Sequence, residues 1–145
     1  MRWLFCILML LLLGTACQKE EANPPEPDYC WVWQNGNFEY LPIDQPPLYL
    51  DGGEDTFYQN IALNLTYPAQ AREEGVEGIV KLTYEVTENG TVEQILIAED
   101  IGAGCGLAGQ SALEAAASGE AFSPAELDGI PVRVKKELQL TFKLE

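Results

Sequence analysis

The clearest pattern in the chain is an alternation of apolar and polar residues near its end. From Val132 to Leu144 every second position is apolar, apart from Lys136, and the positions between are charged or polar. This period of two is typical of a β-strand with one buried face. A last strand that pairs on one side leaves backbone N–H and C=O groups free on the other. The pattern therefore predicts a long final strand whose edge is either an aggregation hazard or a docking edge.

A second alternating pattern predicts a hairpin ahead of this strand. Residues 78 to 87 and 92 to 100 form its two arms, and Asn89-Gly90 favours a tight turn between them. Pairing across that turn sets apolar residues against apolar residues, with Tyr84 opposite Ile95 and Leu82 opposite Ile97.

Helical spacing predicts two helices around these strands. The first is expected from Asp55, as its cap, to about Asn64, with Phe57 and Ile61 buried, and a short turn from Pro68 to Gly75 follows. The glycine-rich stretch 102 to 109 is expected to be a flexible connection before a helix over 110 to 118. The order helix, strand, strand, helix, strand predicts an α+β domain over 52 to 145, with a three-stranded antiparallel sheet and two helices on one face.

A further β-hairpin is predicted before this domain, in the region 29 to 51. Asn35-Gly36 is the favoured pair for a two-residue loop, which puts Trp33 opposite Phe38 and Trp31 opposite Tyr40. The resulting aromatic ladder either binds a sugar or peptide, or packs on the main domain.

The N-terminus carries an export pattern. An apolar run from Leu4 to Leu13 is followed by small residues, and the whole stretch from Leu4 to Ala16 would span about 20 Å as a helix, against about 30 Å for the hydrocarbon core of a bilayer. Residues 1 to 16 are therefore interpreted as a signal peptide. The small residues that end in Cys17 resemble a bacterial lipoprotein cleavage site, which implies lipidation of Cys17. Ordinary cleavage with a free Cys17 thiol is the alternative. Residues 17 to 28 are expected to be a Pro- and Glu-rich tether of about 35 Å, and Lys19-Glu20-Glu21 resembles a surface-export signal.

Composition narrows the possible functions. The net charge of −15 argues against nucleic-acid binding, and removal of Arg2 with the signal peptide makes it more negative. The chain has no histidine, so we expect no catalytic site, no metal and no cofactor; an enzyme would rest on carboxylates alone, and Glu73, Glu74 and Glu77 are most simply a solvated face. Cys30 and Cys105 are either a disulfide or two free buried thiols.

From about residue 46 to the end, the chain resembles the C-terminal domain of the TonB family. The resemblance rests on ordered punctuation, namely Gly52-Gly53, Tyr67-Pro68, Ala71, Val76, Gly78, Asn89-Gly90, Ala112, Phe122, Pro124-Ala125, the run from Gly129 to Val132, and Phe142.

The resemblance implies a module that adds a partner's strand to the edge of its last strand, the partner being a β-barrel outer-membrane transporter or another envelope protein. On this basis the expected partner-binding residues are Arg133, Lys135, Lys136, Glu137 and Gln139, together with Asn64, Leu65, Thr66 and Tyr67. The basic residues either meet an acidic partner segment or deter aggregation at an edge strand. Pairing with a second copy through the same edge is also open.

The N-terminus departs from the energy-transducing members of that family. Those members carry an uncleaved N-terminal helix that meets an inner-membrane motor, followed by a long proline-rich span. A lipid anchor and a short tether predict binding without transduction, unless the anchor stays in the inner membrane beside a motor subunit. The expected location is the Gram-negative cell envelope, on the outer membrane facing the periplasm or exposed at the surface. The alternative is a structural lipoprotein whose aromatic hairpin covers the sheet edge.

Overall fold

The computed structural model describes residues 27–145. The predicted signal peptide, the predicted lipidation site Cys17 and most of the tether lie outside the described residues. The described elements in chain order are β1 (Asp28–Gln34), β2 (Asn37–Ile43), α1 (Gly53–Asn64), α2 (Ala69–Glu74), β3 (Gly78–Val86), β4 (Val92–Glu99), α3 (Cys105–Ala116), β5 (Ala125–Leu127), β6 (Ile130–Val132) and β7 (Val134–Phe142).

The main sheet is antiparallel and has five strands in the order β2-β1-β7-β3-β4. The fold is α+β as expected, but the prediction of a three-stranded sheet is wrong. The β1–β2 hairpin joins the sheet because β1 pairs with β7, with Trp31 opposite Lys135 and Val32 opposite Val134. This pairing satisfies backbone groups that a terminal strand would leave open.

The final strand is shorter than its alternation suggested. Val132 belongs to β6, which pairs with β5 in a separate two-stranded sheet, and β7 begins at Val134. Beyond Phe142, the N–H of Leu144 donates to the Glu77 carboxylate. An alternating pattern shows which residues face inward, but it cannot show where a strand changes partner.

The core lies between the main sheet and the helices. Alternate residues of β3 and β7 are buried there, and α1 and α3 contribute Phe57, Ile61 and Leu113 from the other side. Burying one such side chain stabilises the fold by about 1.5–3 kcal/mol. Every second strand residue faces away from the helices, and we call this side the helix-free face.

The glycine-rich stretch is not a flexible connection, so that prediction is wrong. α3 begins at Cys105, and Gly106 and Gly109 are buried within it. A Cβ on Gly109 would lie 2.9 Å from Cδ1 of Leu140, so glycine lets the helix approach β7 closely. α1 also begins earlier than expected, at Gly53 with Gly52 as its cap, and Phe57 and Ile61 are buried as predicted.

The β3–β4 hairpin has part of the predicted register. Leu82 lies opposite Ile97, but the register shifts between Thr83 and Glu85, and Gln94 has a positive φ of 50°. This bulge replaces the predicted opposition of Tyr84 and Ile95, because it adds a residue to β4 at that point.

Both cysteines in the described residues are free and buried. Cys30 lies in β1 and Cys105 begins α3. The structure therefore contains the second alternative, two buried thiols, and no Cys30–Cys105 disulfide.

Candidate functional site at the edge of the central strand

The edge of β7 that faces the hairpin is paired with another strand over only part of its length. The N–H of Trp33 donates to the carbonyl of Arg133 at 2.9 Å, so backbone groups of Arg133 point toward β1. Because successive residues of a strand point their backbone groups to opposite sides, those of Lys135, Glu137, Gln139 and Thr141 point the same way. The groups of the residues between them point toward β3.

The hairpin reaches only the first part of this edge. The pairing of β1 with β7 ends at Trp31 and Lys135. Within residues 27–145, no strand pairs with the outer side of β7 from Lys136 to Phe142. The backbone N–H and C=O groups of Glu137, Gln139 and Thr141 are therefore unpaired along this side, and we call this segment the open edge.

The side chains of the open edge lie on the helix-free face. Glu137, Gln139 and Thr141 are exposed, and Nε2 of Gln139 donates to Oε1 of Glu137 at 3.1 Å. Two of these three were predicted as binding residues. Thr141 was missed, although its parity with Gln139 in the alternating pattern would have identified it.

Arg133 is held within the sheet. Its guanidinium lies 3.0 Å from the Glu85 carboxylate, 3.2 Å from that of Glu93 and 3.8 Å from that of Glu88. The hydrogen bond that the guanidinium donates to Glu85, together with the nearby carboxylates, raises the pKa of Arg133 above its ordinary value. Its charge is thus matched by three carboxylates inside the domain.

Lys135 is also engaged. Its Nζ lies 4.3 Å from the centroid of the Phe38 ring, a cation–π contact that fastens the hairpin to the sheet. Lys135 therefore lies in the part of β7 that the hairpin occupies and Arg133 lies just before it, both away from the open edge.

Lys136 points to the helix side, where it borders a cavity of about 210 Å³. The cavity also has acidic and aromatic walls, including Asp28, Glu54, Phe57, Tyr84 and Phe122. Burial raises the pKa of the Tyr84 hydroxyl well above its ordinary value. Among the described residues Lys136 has no carboxylate within 4.0 Å, so its break in the apolar alternation reflects this cavity and not an ion pair.

The predicted contact segment 64 to 67 lies near the other end of β7. The Tyr67 ring packs edge-on against Phe142 with centroids 5.4 Å apart, and its hydroxyl donates to the carbonyl of Val76. Asn64 and Thr66 are exposed, whereas Leu65 is partly buried against the core. The structure thus places Tyr67 beside the end of the open edge, apart from Arg133 and Lys135.

Residues 27–145 have neither a metal-binding cluster nor a membrane-spanning helix. No group of three or more acidic or cysteine side chains is arranged to hold a metal ion there. None of the helices in this part of the chain is long and apolar enough to span a membrane.

Comparison with known proteins identifies the family. Residues 64–144, more than half of the chain, match the family described as the Gram-negative bacterial TonB protein C-terminal domain. A similar solved structure is the NMR structure of the Helicobacter pylori TonB C-terminal domain, residues 179–285, with 22% identity and a TM-score of 0.42. The match covers 67% of this chain and 91% of that one, and at these values it adds no functional argument. No curated protein matches the sequence.

The family sets the general role. Its C-terminal domains are non-enzymatic protein-interaction modules of the Gram-negative envelope, they serve energised transport, and they typically interact with outer-membrane transporters. The match includes β3, β4, α3 and the whole of β7, and it begins after the aromatic hairpin. The chain therefore belongs to the TonB C-terminal family.

Proposed function

We propose that this protein binds a short extended segment of an envelope partner by strand addition to the open edge of β7. The observation that carries the proposal is the run of three alternate residues, Glu137, Gln139 and Thr141, with unpaired backbone groups on the hairpin side. Main-chain hydrogen bonds at these residues supply affinity, and neighbouring side chains supply selectivity. A β-barrel outer-membrane transporter is the partner that this family favours.

The hairpin limits the length of the partner segment. Because β1 occupies the edge up to Lys135, an added strand has the stretch from Lys136 to Phe142, about 20 Å at 3.3 Å per residue. A partner segment of about five to seven residues fills it.

The chain's own upstream segment is a poor competitor for this edge. If the pairing of Trp31 with Lys135 continued, Pro27 would oppose Gln139 and Pro25 would oppose Thr141. Both are positions where a neighbouring strand donates an N–H, which proline lacks. The sequence therefore disfavours self-pairing at Gln139 and Thr141, two of the three residues where a partner is proposed to bind.

The proposal includes the anchor. Cys17 is lipidated after removal of residues 1 to 16, and residues 17 to 28 tether the domain in the periplasm or at the surface. A lipid anchor with a tether of at most about 35 Å gives binding without energy transduction.

Site-specific photocrosslinking in intact cells tests this function. A photoreactive residue at Thr141 should form an adduct with a short segment of a β-barrel protein, and the same residue at Leu107, exposed on α3, should not. Gln139→Pro should abolish the Thr141 adduct, because it removes an N–H of the open edge, while Gln139→Ala should retain it.

A contrary result would favour the second candidate function, a structural lipoprotein. Equal adducts in the Gln139→Pro and Gln139→Ala proteins, or none in any variant, would mean that the edge does not receive a strand. The pairing of β1 with β7 is the observation that favours this alternative.

A further inference from the structure

The β1–β2 hairpin presents an apolar surface without charge. On the helix-free face its six positions are Tyr29, Trp31, Trp33, Phe38, Tyr40 and Pro42, whereas Cys30, Val32 and Ile43 are buried on the other side. We call these six residues the aromatic face. A patch free of acidic side chains is unusual in a chain with 23 of them, and exposed apolar patches commonly mark interaction sites.

The aromatic face is ordered and half-exposed. Tyr29, Trp31, Trp33 and Tyr40 are each 45 to 57% exposed. Neighbouring rings contact one another across the two strands, with centroids 4.9 Å apart for Trp33 and Phe38 and 5.2 Å apart for Trp31 and Tyr40. The rings hold one another in place, but this packing leaves about half of their surface in water.

The side chains fit a lipid interface. Tryptophan and tyrosine concentrate at the headgroup level of membranes, where the ring body is apolar and the N–H or O–H stays wet. Lys135 lies at the border of the face, and its long side chain can keep the ammonium in the headgroup layer.

The chain places this face beside the proposed lipid anchor. Tyr29, its first residue, directly follows the tether that ends at Asp28. Eleven tether residues reach at most about 35 Å, so an anchored domain stays close to the bilayer. A second copy is a poorer occupant, because each chain carries a net charge of −15 and like charges repel.

We propose that the aromatic face docks on the surface of the lipid bilayer. Docking rests on the proposed anchor at Cys17, which keeps the domain near the membrane, and adds an orientation to it. The aromatic face turns toward the lipid, and α1, α2 and α3 turn away from it.

The mature protein offers a direct probe of this contact. Of the three tryptophans in the chain, Trp3 lies in the predicted signal peptide, so Trp31 and Trp33 alone report emission in the mature form. The lipidated protein is placed in vesicles of phosphatidylcholine with or without bromine on the acyl chains. Docking predicts a roughly twofold loss of emission with the brominated lipid and weak quenching by acrylamide.

Matched variants separate docking from anchoring. Tyr29→Ser with Tyr40→Ser keeps both tryptophans and should reduce quenching by the brominated lipid, whereas Tyr58→Ser, half-exposed on α1, should not. The mature chain with Cys17→Ser should bind the same vesicles at millimolar lipid, and the double tyrosine variant of it should bind roughly tenfold more weakly. Circular dichroism verifies that each variant keeps its fold.

The mass of the N-terminal peptide tests lipidation separately. If Cys17 is unmodified but the Cys17→Ser chain still binds vesicles through its tyrosines, the anchor fails and docking stands. Docking would be overturned if the brominated lipid did not quench the tryptophan emission of the lipidated protein and acrylamide quenched it strongly. Self-association through the aromatic face in place of vesicle binding would overturn it too.

Discussion

The N–H of Trp33 donates to the carbonyl of Arg133 at 2.9 Å, and this bond marks where the hairpin joins the central strand. Two residues further along the chain, Lys135 of β7 pairs with Trp31, and there the contact ends. Strand β7 therefore has a covered beginning and an uncovered remainder. The covered part contains Lys135 and directly follows Arg133, and the remainder contains the proposed binding edge.

Hydrogen exchange should show this division. In the free protein, the amides of Glu137, Gln139 and Thr141 should exchange quickly, whereas those of Leu138 and Leu140, which point to β3, should be protected. Exchange of each amide is measured by NMR. Uniform protection along β7 would mean that another segment already covers the open edge.

The prolines ahead of β1 should keep the edge accessible. Pro25→Val with Pro27→Val restores the N–H groups that would face Thr141 and Gln139, so the chain should pair with itself there and partner crosslinking at Thr141 should fall. Pro24→Val is the matched control, since its backbone groups would point away from β7. Equal crosslinking in both variants would contradict the argument.

Gly90 should tolerate no side chain. Its φ is +80°, and a Cβ there would lie 1.8 Å from the carbonyl oxygen of Phe122. Gly90→Ala should lower the free energy of unfolding by roughly 2–4 kcal/mol, through both strain and displacement of the Phe122 segment.

Gly36→Ala is the control for this prediction. Gly36 has a similar φ of +82° but no atom within 4 Å of the added Cβ, so only the backbone strain of about 1 kcal/mol is expected. Urea denaturation measures both variants. Equal losses would show that the contact with Phe122 contributes nothing.

Arg133 should stabilise the domain more than an exposed cation does. Arg133→Gln leaves Glu85, Glu88 and Glu93 without their shared cation, and the Glu85 side chain is only 13% exposed. The expected loss is about 1–3 kcal/mol. Lys81→Gln removes the exposed pair with Glu99 and should cost less than about 0.5 kcal/mol in the same urea measurement.

The two buried cysteines should be unreactive until the protein unfolds. Burial raises the pKa of the Cys30 thiol, although Lys136 opposes the shift, and burial and then Asp100 raise the pKa of the Cys105 thiol. Since the thiolate is the nucleophile, alkylation by iodoacetamide at pH 8 should be slow in the folded protein and fast in urea. A disulfide-linked peptide found by mass spectrometry under native conditions would contradict this.

Local patterns predicted most elements but not their assembly. Period-two alternation located β3, β4 and β7, and the two Asn-Gly pairs located both hairpin turns. The start of α3 was missed because glycine disfavours helices in general, and its value here depends on Leu140, distant in sequence. The bulge at Gln94 and the change of partner at Val132 likewise depend on neighbours that the local sequence does not specify.

The sequence predicted which side chains of the candidate site face outward, but not how much of the strand edge is free. The alternation in β7 identified Glu137 and Gln139 as facing away from the core. It could not show that Arg133 would form ion pairs with carboxylates of β3 and β4, or that Lys135 would contact an aromatic ring of β2, because these partners lie on other strands. Whether a strand edge is free is a property of the sheet and not of the strand.

The short pairing of β1 with β7 also has a consequence for how the domain responds to force. With the proposed anchor at Cys17, tension on the tether would enter β1 at Asp28, and it would load the pairing of Asp28 with Ile43 of β2 before the pair of Trp31 and Lys135. Peeling that pair apart would lengthen the exposed run of β7 toward its start. Under the proposed function, tension on the tether would thus lengthen the strand edge of β7 that is available to a partner strand.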